Sequence, residues 1–96
     1  MKGAIMSVAK EHIERGIAIL RESGATRVYL FGSALEQPEK ARDLDIGCEG
    51  IPPEKFLKVV GRLLDELPIL VDLVDLSTES PIVNYIRRHS KVVYEG

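Results

Sequence analysis

The 96-residue sequence contains one cysteine and no tryptophan, and only 5% of its residues are aromatic. A single cysteine, Cys48, excludes an internal disulfide framework and is typical of a reducing compartment, so we expect a cytoplasmic protein. No run approaches the roughly 18 consecutive apolar residues that a membrane span requires. The first six residues are too short an apolar stretch for a signal peptide, so we expect no secretion and no membrane partner.

An excess of positive charge is also missing. Thirteen Lys and Arg stand against fifteen Asp and Glu, which gives a net charge of −2. This balance argues against a dedicated nucleic-acid binder and against a protein of the membrane surface. A hydrophobic fraction of 45% and a charged fraction of 29% are those of an ordinary globular protein. The length predicts one domain over residues 1–96.

Hydrophobic periodicity predicts the element order α-β-β-α-β-α-β, with one helical turn after the first strand. We therefore expect an α/β (α+β) fold with a small mixed sheet flanked by helices. The predicted helices cover about 7–23, 53–66 and 82–89, and the predicted strands cover 27–31, 43–49, 69–76 and 91–94. Ser7 is the expected N-cap of the first helix and Gly24 its left-handed terminal residue. The nearly continuous apolar run over 69–76 is typical of a central strand covered on both faces.

Aspartates in two predicted strands indicate a functional site, because aspartate is disfavoured in strands. Asp43 and Asp45 are two residues apart, so their side chains point to the same face with Cα atoms roughly 6.5–7 Å apart. A divalent cation between them would relieve their repulsion. Asp72 lies within the apolar run, where a buried carboxylate without a partner would cost several kcal/mol. Oxygen ligands of this kind favour Mg²⁺ or Mn²⁺.

Two alternatives accompany the metal hypothesis. Asp75 also lies between apolar neighbours, but its parity places it on the opposite face from Asp72; we favour Asp72 because it is further from the strand end. The aspartates could instead be structural, with Asp43 simply opening its strand next to Arg42. Asp45 could pair with an arginine or lie on an exposed edge, and Asp72 could pair with a buried arginine such as Arg27. His12 and His89 are isolated in the sequence, and we interpret both as surface or packing residues.

A glycine–serine pair follows the first predicted strand. Gly32 allows the backbone to turn sharply and a ligand to approach closely. Ser33 would open a helical turn whose amide groups, together with the serine hydroxyl, form an anion site. The structural alternative is a capping box, because residues 33–36 match the pattern S-x-x-E.

Three segments together, Leu30–Ser33, Asp43–Gly47 and Val71–Leu76, carry a resemblance to a known family. With them the chain resembles the minimal nucleotidyltransferases of the DNA polymerase beta superfold, small proteins often encoded beside HEPN-domain proteins. The resemblance extends over nearly the whole chain, from the leading helix to the terminal helix and strand.

The resemblance implies a role for each of the site residues. Gly32 and Ser33 would hold the β- and γ-phosphates of a nucleoside triphosphate, and the expected nucleotide is ATP. Asp43 and Asp45 would bind two Mg²⁺ ions, with Mn²⁺ as a substitute. Asp72 would complete the metal site and help to activate the acceptor hydroxyl. The implied reaction transfers a nucleoside monophosphate, AMP, to a hydroxyl of a HEPN-domain partner in a toxin–antitoxin pair.

The chain departs from the family pattern after the serine. Nine residues separate Ser33 from Asp43 where ten are usual, and the segment Ala34–Glu36 replaces the small and basic residues often found there. A second hypothesis is therefore a binding module of the same fold that neutralises its partner by contact alone. A third is a structural protein with ion-paired aspartates. Exposed strand edges leave a homodimer open.

Overall fold

Eight helices and strands alternate along residues 7–96, the part of the chain that the computed structural model describes. They are α1 (Lys10–Glu22), β1 (Arg27–Phe31), α2 (Ser33–Glu36), β2 (Asp43–Glu49), α3 (Pro53–Glu66), β3 (Leu70–Asp75), α4 (Pro81–Arg88) and β4 (Lys91–Glu95). The strands form one sheet in the order β3-β2-β1-β4. β1 is antiparallel to β2 and β4, whereas β2 and β3 are parallel. The predicted α+β fold with a mixed sheet and flanking helices is confirmed.

One face of the sheet, called the first face here, packs against α1 and α3. The alternation of β2 directs Leu44, Ile46 and Cys48 to this face, and none of the three is accessible to solvent. The helices contribute Ile19 and Leu63, which are equally buried. Since full burial of such a side chain stabilises a fold by about 1.5–3 kcal/mol, this layer holds the main core.

The second face is covered only in part by α4. Tyr29, Leu76 and Val83 form a small buried cluster there, joined by Val74 and Ile86. Leu76 lies directly over β2 at Gly47, where a Cβ atom would stand 2.5 Å from Leu76 Cδ1. A side chain at this point of the strand would therefore force Leu76 to shift. The start of β2 lies beyond this cluster and remains open.

The first helix begins later than predicted. Ser7 is not its N-cap, because Ala9 occupies that position and the helix starts at Lys10. The Ala9 backbone N–H donates a hydrogen bond to His12 Nδ1 at 2.9 Å. This contact explains why His12 is buried, and it replaces the serine cap. Gly24 adopts φ +106°, as expected for the left-handed residue after a helix.

The prediction that the third strand is central is wrong. β3 lies at an edge of the sheet, and its first residue, Leu70, is 67% exposed. The apolar run arises because the strand serves two different neighbours. Val71 and Leu73 pack against the core of the first face, whereas Val74 packs against the cluster beneath α4. Within residues 7–96 no helix is both long and apolar enough to cross a membrane.

Candidate active site

Three aspartates lie on the open part of the second face. Asp43 and Asp45 point to this face because Leu44 and Ile46 are buried on the other. In the parallel register of β2 and β3, Asp45 is the direct partner of Asp72. Neighbouring strands lie about 4.8 Å apart, so the two residues are adjacent across the ladder. The structure therefore places the three aspartates singled out from the sequence on one face of two neighbouring strands.

The electrostatics of Asp45 reflect this crowding. Burial raises the pKa of the Asp45 carboxyl above its ordinary value, and the negative charges of Asp72 and Asp43 raise it further. Asp45 is half-buried, whereas Asp43 and Asp72 are exposed. The expectation that Asp72 is a buried carboxylate is therefore wrong, because its strand lies at the edge of the sheet. The site concentrates negative charge and holds its central carboxylate away from bulk water.

No arginine neutralises these aspartates in the described part of the chain, residues 7–96, and no ion pair or side-chain hydrogen bond engages them there. Arg27, the proposed alternative partner of Asp72, instead binds Glu95 at 2.6 Å and lies 3.9 Å from Glu49. Asp43 does open β2 next to Arg42, but among residues 7–96 no ion pair joins the two side chains. Within the described residues the aspartates are therefore not ion-paired, contrary to the structural interpretation.

Gly32 closes the site from the end of β1. Its φ of +69° is a left-handed conformation that favours glycine. Phe31, the residue before it, is the register partner of Asp45, so the bend lies beside that carboxylate. A Cβ atom on Gly32 would stand 3.0 Å from Asp45 Cγ. The Asp45 carboxylate therefore occupies the space that a side chain at residue 32 would fill.

Ser33 is exposed at the first position of α2. The N-cap is Gly32, and no side-chain hydrogen bond caps this helix, so the predicted capping box is not formed. Within residues 7–96, no hydrogen bond engages the serine hydroxyl. Ser33 thus presents a hydroxyl group to solvent beside the aspartates.

The residues after the serine have structural roles. Ala34 is buried and Leu35 packs against the main core, so α2 is pressed onto the sheet. Glu36 points into solvent, as do Lys40 and Arg42 in the loop that leads to β2. The apolar pair in this segment is therefore explained by packing.

Asp75 lies on the opposite face from the other aspartates. Its register partner is Cys48, and its carboxylate accepts a hydrogen bond from the Ser77 backbone N–H at 2.9 Å. Burial, with the Asp75 charge as a smaller cause, raises the pKa of the Cys48 thiol to about 12. Of the two β3 aspartates, Asp72 is the one that shares a face with Asp45.

The donor chemistry of the site suits a hard divalent cation. All three side chains offer carboxylate oxygens, which Mg²⁺ and Mn²⁺ prefer. As the side chains of residues 7–96 are placed, no group of three His, Cys, Asp or Glu is close enough to hold a metal ion. The fit therefore rests on the type and charge of the donors and on their shared face.

A second polar cluster, which we did not anticipate from the sequence, lies further along the same face. The Tyr29 hydroxyl donates a hydrogen bond to Glu49 at 2.5 Å, and Arg87 of α4 approaches the same carboxylate at 3.4 Å. Arg87 also binds Glu79 at 2.8 Å. The alternation of β2 places Glu49 on this face, but Arg87 reaches it only through the docking of α4. This cluster fastens α4 to the sheet.

Comparison with known proteins identifies the fold. No protein-family model matches the chain, and no curated protein matches it by sequence. Among solved structures, a mutant of the MntA toxin–antitoxin complex has a TM-score of 0.71 at 23% identity, covering 88% of this chain and 72% of that one. A toxin–antitoxin structure with AMP-PNP has a TM-score of 0.69 at 24% identity, covering 90% and 73%.

A third structure contains a tri-AMPylated Shewanella oneidensis HEPN toxin in complex with its MNT antitoxin. It has a TM-score of 0.69 at 22% identity and covers 91% of this chain and 72% of that one. The chain therefore has the fold of the MntA nucleotidyltransferase structures. The resemblance noted in the sequence is confirmed at the level of the fold.

Proposed function

We propose that this protein is a Mg²⁺-dependent nucleotidyltransferase that transfers AMP from ATP to a hydroxyl group of a HEPN-domain partner. The observation that carries the proposal is the group of three aspartates beside the Gly32–Ser33 bend on the open part of the second face, which have no cationic partner among residues 7–96. Support also comes from solved structures of the same fold, one with AMP-PNP and one with an AMPylated HEPN toxin.

The triphosphate would bind at the bend between β1 and α2. Gly32 has a positive φ and so allows the sharp bend that exposes Ser33 at the start of α2. Ser33 offers an exposed hydroxyl as a donor to a phosphate oxygen. Asp45 lies next to this bend, so the β- and γ-phosphates would sit between the serine and the carboxylates.

Asp43, Asp45 and Asp72 would hold two Mg²⁺ ions, with Mn²⁺ able to replace them. Bound there, the ions would supply charge neutralisation to the phosphates and to the attacking and leaving oxygens. The carboxylates themselves would orient the triphosphate, since transfer of this type depends mainly on positioning and charge.

In the reaction, the acceptor hydroxyl oxygen forms a bond to the α-phosphorus of ATP. The bond from that phosphorus to the oxygen bridging the α- and β-phosphates breaks, and pyrophosphate leaves with both bonding electrons. Asp72, at the exposed edge of the sheet, would receive the hydroxyl proton. A protein acceptor is favoured because the site lies on an open surface that a second macromolecule can cover.

Mass spectrometry tests the proposal. The protein is incubated with ATP, Mg²⁺ and the HEPN-domain partner, and an AMP adduct is expected on the partner. Chelation with EDTA should abolish the adduct. The double substitution Asp43→Asn and Asp45→Asn should also abolish it, whereas Asp75→Asn, an equivalent change on the opposite face, should leave it intact.

The same experiment separates catalysis from neutralisation by contact. If no adduct forms at saturating ATP and the double variant still neutralises its partner, the binding-module hypothesis replaces the enzyme. If Asp75→Asn abolishes the adduct as fully as the double variant, the assignment of the site is wrong.

A further inference from the structure

The outer side of α3 carries an apolar stripe that nothing in the described chain covers. Leu57 is 81% exposed and Leu64 is 47% exposed, seven residues apart on the same side of the helix. Gly61 lies between them, and a Cβ atom built there meets no atom within 4 Å. Leu57, Gly61 and Leu64, called the α3 stripe here, form two apolar projections with a notch between them.

The stripe lies away from the candidate site. α3 packs on the first face through Val59 and Leu63, whereas the three aspartates lie on the second face. A macromolecule that presents a hydroxyl to those aspartates must approach from the second face. The α3 stripe is therefore available to another molecule while the site is in use.

The charged residues beside the stripe are arranged so that they can pair with the same residues of a second copy. Lys58 and Asp65 flank it on its solvent side and are both exposed. They are seven residues apart, about 10.5 Å along the helix axis, which is too far for them to pair within one helix. Among residues 7–96, neither takes part in an ion pair, although four of the arginines do.

An antiparallel copy of α3 satisfies these features together. With a two-fold axis at Gly61, each Leu57 faces the neighbourhood of Leu64 in the other copy, and the two glycines meet where the helices cross. In an antiparallel helix pair, equivalent flanks face each other, so each Lys58 lies within one residue of the level of the other copy's Asp65. Both leucines are then covered and both charges are paired.

We propose that the α3 stripe is a dimerisation surface for a second copy of this chain, with the two α3 helices packed antiparallel across Gly61. The contact is small, so the dimer is a reversible one whose population rises with concentration. This inference does not depend on the proposed catalytic function.

Sedimentation equilibrium over about 1 μM to 1 mM protein tests the dimer. Leu57→Glu should raise the dissociation constant at least about tenfold, because it places charge in the apolar contact. Ile82→Glu is the matched control, because Ile82 is 68% exposed on α4 and should leave association unchanged. Circular dichroism should show that both variants keep their helices, since neither leucine nor isoleucine is in the core.

Charge exchange tests the antiparallel arrangement. Lys58→Asp should weaken the dimer by opposing Asp65 of the other copy, and Asp65→Lys added to it should restore the dissociation constant to within about twofold. Under oxidation, Gly61→Cys should give a covalent dimer.

Three results would overturn the proposal: a monomer throughout the concentration range, a dimer indifferent to Leu57→Glu, or no rescue by the charge exchange. Protection of the Leu57 region from hydrogen exchange only after the HEPN-domain partner is added would overturn the dimer and assign the stripe to that partner.

Discussion

Strand β2 presents carboxylates at both of its ends on one face of the sheet, and the two ends differ in what surrounds them. At the beginning, Asp43 and Asp45 lie beside Asp72 without a cationic partner in the described chain. At the end, Glu49 accepts a hydrogen bond from Tyr29 and lies 3.4 Å from Arg87. Gly47, covered by Leu76, separates the two regions.

The difference separates a carboxylate that has its partners within the described protein from carboxylates that do not. A partly buried carboxylate with a cation and a hydroxyl donor contributes to stability, because its lost hydration is replaced within the protein. A carboxylate that is partly buried beside two others destabilises the fold, and this is reflected in the raised pKa of Asp45. Such an arrangement is typical of functional sites, where a ligand supplies the missing positive charge.

The largest expected effect is on catalysis, from Asp45→Asn. We expect AMP transfer to fall by about 10²–10³-fold, the loss typical of removing one preorganised electrostatic group. Thermal stability should not fall, because the substitution removes a charge that repels Asp72 and Asp43. Transfer assays and thermal melts measure the two effects.

Glu49→Gln is the counterpart at the other end of β2. It should keep transfer within about twofold while lowering the free energy of unfolding by about 1–2 kcal/mol, because Arg87 loses one of its two carboxylate partners and keeps only Glu79. Loss of stability in Asp45→Asn together with unchanged stability in Glu49→Gln would contradict the comparison.

The next effect concerns the room beside Asp45. Gly32→Ala should destabilise the protein by more than the about 1–2 kcal/mol of left-handed strain, because the methyl group also meets the Asp45 carboxylate. Gly24→Ala isolates the strain, since Gly24 also has a positive φ but no atom lies within 4 Å of its added Cβ. Chemical denaturation of both variants measures the difference. Equal losses would show that the carboxylate tolerates a side chain there.

A smaller effect is expected from Tyr29→Phe at the paired end. Removing the hydroxyl deletes the 2.5 Å hydrogen bond to Glu49 and should cost about 1–2 kcal/mol, since Arg87 still holds that carboxylate. Tyr94→Phe on β4 is the control, because its hydroxyl has no hydrogen-bond partner within residues 7–96. Transfer activity should be unchanged in both. A drop in activity with Tyr29→Phe would show that the two ends are coupled.

The smallest effect belongs to the exposed ion pairs between α1 and α3. Arg62 hydrogen-bonds to Glu66 and Glu22 and holds the pKa of both carboxyl groups below the ordinary value of 4.5. A carboxyl group with a lowered pKa stabilises the folded state at pH values above its ordinary pKa. This stabilisation is lost as the pH falls below 4.5 and passes through the lowered pKa. Glu66→Gln should therefore melt slightly lower than the parent at pH 7 and equally at the acid end of a pH series. A difference in melting temperature that grows toward low pH would contradict this prediction.

The sequence was most informative about elements whose pattern is local. The alternation of β2 predicted the faces of Asp43 and Asp45, and the Gly32–Ser33 pair marked the bend beside them. The sequence was less informative where tertiary contacts decide. The apolar run of β3 could not reveal an edge strand, because two different neighbours bury its two faces. Arg87 reaches Glu49 only after α4 docks, so no local pattern indicated that pair.

The parallel pairing of β2 and β3 has a consequence for how the site is assembled. Side chains alternate along a strand, so sliding β3 by one residue would send Asp72 to the opposite side of the sheet. The segment 67–69 between α3 and β3 determines that alignment, and it is anchored by the buried Leu67 and Ile69. Removing or adding one residue there would leave every aspartate in the chain and still dismantle the acidic group. The length of this three-residue connection thus sets the register of β3 against β2 and keeps Asp72 on the same face as Asp45.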